Sequence, residues 1–150
     1  MTCDSIGIGL VGFGTVGSGV WNILQRNAEL ITERTGGSVK LEIRRIGVRD
    51  LGKARAADAP AGMFTTDWKS VVEDPAVDIV VELIGGTTTA FELASAALVA
   101  GKPLVTGNKA LLAELGPELF ALSREHDTPI HFEAAVAGGI PIIKVTVCLH

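Results

Sequence analysis

Apolar positions along the chain keep two rhythms. Short runs rich in β-branched residues, such as SIGIGLV (5–11), VKLEIRRIGV (39–48) and VDIVVELIGG (77–86), alternate with stretches where apolar side chains recur every three or four positions. The first rhythm predicts strands, the second helices. A strand over 5–11 is followed by a glycine turn. A long helix then runs to about Arg34 on the spacing of Val16, Val20, Ile23, Leu24 and Ile31, and TGG (35–37) stops it. A second strand (39–48) leads into a polar, alanine-rich stretch (49–62) that reads as a short helical turn and loop. MFTTD (63–67) predicts a short strand, with Thr66 or Asp67 capping a helix over 68–74. The strand over 77–86 enters after Asp74-Pro75 and ends on two glycines. A helix over roughly 88–100 follows, with Phe91, Ala94 and Leu98 on one face and Gly101 closing it. KPLVTG (102–107) predicts a fifth strand, and Asn108 caps a short helix KALLAEL that Gly116-Pro117 breaks. Pro117 suits the first position of another helix to about Glu125. PIHFEAA (129–135) predicts a sixth strand.

Strands alternating with helices, each strand too apolar to face water, predict a doubly wound α/β fold: a mostly parallel sheet with helices on both faces. At 150 residues the chain reads as a single domain. An apolar share of 47% against 20% charged residues, with a mean hydropathy of +0.40, suits a sheet covered on both sides. Ligands of such sheets bind beyond the carboxyl ends of the strands.

That edge carries the first candidate chemistry. Gly9, Gly12, Gly14, Gly17 and Gly19 crowd an otherwise apolar stretch. Among them, residues 12–17 (Gly12, Phe13, Gly14, Thr15, Val16, Gly17) form a G-x-G-x-x-G between a strand and a helix, the setting of a dinucleotide fingerprint. Gly12 permits the tight turn, Gly14 lets backbone approach a pyrophosphate, and Gly17 lets the helix pack against the strand. The helix N-terminus offers free N–H groups and partial positive charge to phosphates. The plainer alternative is a glycine turn that only packs tightly, which is the reading given to Gly19, as an aid to helix packing. The second strand ends in GVRD, so Arg49 comes first and Asp50 next. An arginine there suits a 2′-phosphate and an acid suits ribose hydroxyls. Arg49 favours NADP, and Asp50 keeps NAD as an alternative.

Charge and cysteines narrow the partners. Thirteen basic against 17 acidic residues give a net charge of −4; with no basic block, nucleic acid is not an expected partner. Cys3 and Cys148 lie at opposite ends without metal-ligand or disulfide spacing, which makes a reducing cytoplasm the default. The N-terminus does not read as a signal peptide. No apolar run approaches the ~20 residues that span a bilayer, so no membrane association is expected.

Two later stretches are more particular. DIVVELIGG (78–86) and VTGNKALLAELG (105–116), followed by FEAAVAGGIPIIK (132–144), resemble the homoserine dehydrogenase family, and the likeness extends from residue 8 to about 144. The resemblance implies the NAD(P)-binding Rossmann domain of an oxidoreductase that interconverts L-homoserine and L-aspartate 4-semialdehyde by hydride transfer, a step toward threonine and methionine. It also implies roles for residues. Gly12 through Gly17 match the phosphate loop, and Ile84, Gly85 and Gly86 match the segment bordering the cofactor. Thr106, Asn108 and Lys109 match a T-x-N-K segment whose lysine lies beside cofactor and substrate, making Lys109 the catalytic candidate. Glu133, Val136, Gly138 and Ile140 match positions of a monovalent-cation site, such as one for Na⁺, built largely from carbonyl oxygens.

The physics suits Lys109: cations are disfavoured at helix N-termini, and an ammonium can stabilise the charge a carbonyl oxygen develops on accepting hydride. Glu133 also reads as an ordinary strand-end carboxylate. His126 and His131 match no family role and read as structural or solvated, while Trp21 and Trp68 read as packing residues. VTVCLH (145–150) departs from the family's usual continuation. The catalytic and dimerisation domain, with its second lysine, the acids that hold homoserine and the homodimer surface, is expected beyond about residue 144. A non-catalytic NAD(P)-binding or regulatory module is the alternative. A semialdehyde dehydrogenase would need a nucleophilic cysteine, which Cys3 and Cys148 are badly placed to provide.

Overall fold

The computed structural model describes residues 4–34, 36–37, 39–53 and 58–137. Six parallel strands form one sheet: β1 (Asp4–Val11), β2 (Val39–Gly47), β3 (Phe64–Thr65), β4 (Ile79–Glu82), β5 (Leu104–Thr106) and β6 (Ile130–His131). Their spatial order is β3-β2-β1-β4-β5-β6. Order therefore reverses between β1 and β4, the switch point at which a doubly wound sheet opens a crevice. The helices are α1 (Thr15–Arg26), α2 (Ala28–Arg34), α3 (Trp68–Glu73), α4 (Thr88–Val99), α5 (Lys109–Glu125) and α6 (Glu133–Ala137).

The two faces of the sheet carry separate cores. Val11, Val80 and Leu104 pack with Val71 and Val72 of α3, with Ala90, Leu93, Ala94, Ala97 and Leu98 of α4, and with Leu111 and Leu119 of α5. Ile8, Leu10, Ile43 and Ile46 pack on the other face with Phe13 and with Trp21 of α1. Alternate residues of β1 thus serve opposite layers, the period-two geometry of a strand buried on both sides.

Local chemistry explains most boundaries. Asp67 caps α3 by accepting from the Lys69 N–H at 3.0 Å. Asn108 caps α5 by accepting from the Leu111 N–H at 3.1 Å. Gly101, at φ +70°, follows α4. Asp74, just after α3, accepts from the Arg45 guanidinium of β2 at 2.9 Å, which holds its carboxyl below the usual range.

Several expectations need correction. The predicted long helix is two helices meeting at Asn27, whose side-chain amide donates to the Ile23 carbonyl at 3.0 Å. That side chain competes with the helical ladder for the carbonyl. The expected apolar stripe is inward only in part: Val16 and Ile23 are 63% and 60% exposed, whereas Val20 and Ile31 are half-buried, Leu24 packs against the core, and Gly17 and Trp21 are buried. Gly19 eases no packing, because a Cβ there would meet open space. The strands expected over 77–86 and 102–107 shrink to four and three residues. The break expected at Gly116-Pro117 is present: α5 is two helical stretches meeting at a kink at Leu115, whose backbone is not helical (φ −129°, ψ 15°). The sixth strand is only Ile130–His131, and the following EAAVA is helical as α6. Alanine favours a helix, and Glu133 suits a helix's first turn.

Candidate functional site

The strand register gathers the candidate residues along one edge. Gly47 pairs with Val11, Val11 with Glu82, and Glu82 with Thr106, so these four form a row at the carboxyl ends of β2, β1, β4 and β5. Just past the row come Arg49, the glycine turn, the loop Ile84-Gly85-Gly86, and Asn108 with Lys109.

The glycine turn is built by close approach. Gly12 has φ +106°, and a Cβ on it would lie 2.5 Å from the Leu83 carbonyl. The Gly12 N–H donates to the Gly47 carbonyl at 2.9 Å, tying the turn to β2. At Gly17 a Cβ would lie 2.1 Å from the Gly12 carbonyl oxygen. This contact sets the rotation of α1: Gly17 must face the turn, so Trp21, one turn on, faces the core and Val16 faces out. Phe13 anchors the turn from below. Its ring meets Phe64 edge-on at 5.2 Å and Trp21 at 6.4 Å between centroids.

Above the turn lies a cavity of about 490 Å³, lined by Gly12, Phe13, Gly14, Val48, Arg49, Asp50, Lys53, Leu83 and Ile84. Gly14 is the N-cap of α1 and no side chain caps its first turn, which carries no acidic residue. A Cβ at Gly14 would meet nothing within 4 Å, so the backbone is bare toward open space. Helix N–H groups without intrahelical partners, with no carboxylate among them, make a place for an anion. The Asp50 carboxylate accepts from the Gly52 N–H at 2.8 Å, which engages one of its oxygens within its own loop.

Gly85 and Gly86 follow β4 with φ +70° and +74°. Thr106 and Asn108 are buried. Lys109, the first residue of α5, is exposed beside them. A hydrogen-bond circuit joins this half of the edge. Glu82, fully buried, accepts from the Ile84 N–H at 2.9 Å and from the Thr106 hydroxyl at 2.5 Å. Thr106 Oγ1 accepts from the Asn108 N–H at 3.0 Å. The Asn108 side chain donates to the Gly86 carbonyl at 2.7 Å.

The cavity thus collects Gly12, Phe13, Gly14, Arg49 and Ile84 of the sequence-derived set. Thr15, Val16 and Gly17 form the first turn of α1. Gly85, Gly86, Thr106, Asn108 and Lys109 stand along the same edge without lining it. Glu133 and Val136 lie on α6, which packs against α5 and β5. Gly138 and Ile140, like Cys3 and Cys148, fall outside the described residues.

Two residues were missed. Lys53 lines the cavity with Arg49, and a second basic residue four positions on was the available signal. Glu82 carried one too: a lone carboxylate inside a β-branched run must be buried with partners.

Comparison with known proteins is decisive here. Residues 12–133 match the family model described as homoserine dehydrogenase, NAD binding domain. The chain belongs to that family. It is 47% identical to a homoserine dehydrogenase of Pseudomonas aeruginosa over 137 residues, 91% of this chain and 31% of that protein. It is 43% identical to the Bacillus subtilis enzyme over 140 residues, 93% of this chain and 32% of that protein. Among solved structures, the Thiobacillus denitrificans homoserine dehydrogenase superposes with a TM-score of 0.86 at 49% identity, covering 95% of this chain and 32% of the other. A hyperthermophilic archaeal homoserine dehydrogenase in complex with NADPH matches with a TM-score of 0.73 at 25% identity, covering 95% and 48%. The chain therefore spans about a third of the bacterial homoserine dehydrogenases it matches. As a member of this NAD-binding family it takes a nicotinamide dinucleotide. Among the described residues no helix is long and apolar enough to cross a membrane.

Proposed function

We propose that these 150 residues form the cofactor-binding part of a homoserine dehydrogenase acting between L-homoserine and L-aspartate 4-semialdehyde, with NADP preferred over NAD. The cavity carries this reading: it places the bare Gly14 backbone between the Arg49 end of β2 and the Ile84 end of β4. The pyrophosphate rests on the first-turn N–H groups of α1, at Thr15, Val16 and Gly17. Arg49 and Lys53 take the 2′-phosphate, while Asp50 is partly engaged by Gly52 and competes less for a ribose hydroxyl. Ile84, Gly85, Gly86, Thr106 and Asn108 border the nicotinamide end. The nicotinamide supplies or takes the hydride; Lys109 stabilises the substrate oxygen and moves its proton. A monovalent cation is assigned to Glu133, Val136, Gly138 and Ile140. Substrate holding and homodimer contacts fall to the part of the enzyme represented in the relatives beyond this segment.

Calorimetric titration with NADPH and NADH tests the cofactor reading. A charge-assisted contact is worth about 1.5–3 kcal/mol, so Arg49→Ala should weaken NADPH roughly 10–100-fold and leave NADH nearly unchanged. Equal losses would remove Arg49 from phosphate recognition.

A further inference from the structure

Among the described residues, Glu82 is the only acidic or basic side chain that is buried, and the chemistry above gives it no task. Its setting supplies one. Ile84 N–H and Thr106 O–H both donate to its carboxyl oxygens, and Thr106 in turn accepts from Asn108 N–H. Every donation on this path points toward Glu82. Asn108 then closes the circuit in two directions, to Gly86 through its amide and to the first turn of α5 through its oxygen. The loop from Ile84 to Gly86 is therefore clamped at one end by Glu82 and at the other by Asn108, and Asn108, itself tied to Glu82 through Thr106, also caps the helix whose first residue is Lys109.

We propose that Glu82 is a positioning residue, fixing through Thr106 and Asn108 the Ile84–Gly86 loop and Lys109 relative to one another, and so aligning the nicotinamide end of the cofactor while leaving the adenosine end untouched. This rests on the placement of the cofactor proposed above. The two ends separate in the structure because Arg49, Asp50 and Lys53 belong to the loop after β2, whereas the circuit joins the carboxyl ends of β4 and β5 on the other side of β1.

The test uses two probes on the whole 150-residue chain: NADPH, which spans both ends, and 2′,5′-ADP, which occupies the adenosine end alone. Glu82→Gln keeps the shape but turns an amide donor against one of two donors. Thr106→Val keeps the volume and deletes the relay; Thr106→Ser returns the hydroxyl. With the Ile84–Gly86 loop and the start of α5 no longer fixed together, Glu82→Gln and Thr106→Val should each weaken NADPH about tenfold. Affinity for 2′,5′-ADP should hold within about twofold, and Thr106→Ser should recover most of the loss caused by Thr106→Val. If Glu82→Gln does not fold by circular dichroism, the two Thr106 variants decide alone. A packing role gives the opposite order, with Thr106→Val harmless and Thr106→Ser damaging, and that result overturns the proposal. Losses shared equally by both probes, or absent from both, overturn it as well. A wild-type chain that binds neither probe removes the cavity reading, and this inference with it.

Discussion

Gly14 and Gly17 stand three positions apart on one turn and should answer a side chain in opposite ways. A Cβ at Gly14 meets nothing within 4 Å, whereas at Gly17 it falls 2.1 Å from the Gly12 carbonyl oxygen. Gly14→Val is therefore expected to fold with little change in melting temperature and to lose NADPH binding, because its side chain would occupy the place proposed for the pyrophosphate. Gly17→Ala is expected to lose stability, by about 1–3 kcal/mol for overpacking, before any question of ligand arises. Thermal melts beside calorimetry separate the two, and a Gly14→Val chain that still binds would end the phosphate-loop reading. The close approaches at Gly12 and Gly17 were legible in the spacing alone, because glycine at fixed offsets after a strand has few other uses. Glu82 was harder to read: its hydroxyl donor, Thr106, lies 24 positions away, and only the pairing of β4 with β5 brings them together.

At the scale of elements, β-branched runs and turn residues located the strands, and Asp67 and Asn108 announced their helices by capping chemistry. What periodicity did not reveal was the rotation of α1. Val16 and Ile23 lie on the helical repeat that reads as core, yet one steric contact at Gly17 overrides the hydrophobic pattern. The end of the sheet misled for a related reason: FEAA has no strong strand former after Phe132, and β5 offers β6 only a short edge to pair with. Element contacts also predict a pH response. Arg45 of β2 donates to Asp74 at the end of α3, and Ala76 N–H donates to the same carboxylate, both lowering its pKa. A group with a depressed native pKa stabilises the fold above its unfolded value and loses that contribution as pH falls through the native one. Asp74→Asn should thus cost roughly 0.2–1 kcal/mol at neutral pH, as a pair still partly exposed to solvent does. Its stability should converge with wild type as pH drops below the carboxylate range. Urea melts across pH check this; a constant difference at every pH would deny the ion pair a role.

For the whole molecule, binding and turnover should come apart. The segment holds the cavity proposed for the cofactor, with Lys109 along the same edge of the sheet, but spans 31–32% of the Pseudomonas and Bacillus relatives. Holding two reactants in a near-attack arrangement is worth about 7–11 kcal/mol, and nothing described here encloses a semialdehyde against the nicotinamide. The 150 residues alone are expected to bind NADPH without oxidising it when aspartate 4-semialdehyde is added. A longer chain carrying the remaining two-thirds of a relative should restore the reaction. Steady oxidation by the 150-residue chain would move the substrate site onto residues assigned here to the cofactor.

Phe13 joins the glycine turn to Trp21 in the core, whereas Trp68 packs against the core on the opposite face of the sheet. The consequence is optical. A phosphate on the turn would bring negative charge beside Phe13, and so change the electrostatic surroundings of Trp21, which packs on it, more than those of Trp68. Excited at the red edge of its absorption, the chain should change its emission on addition of 2′,5′-ADP, a ligand without a nicotinamide to take up energy by transfer. The change should persist in Trp68→Phe and vanish in Trp21→Phe, giving a label-free signal of occupancy at the turn.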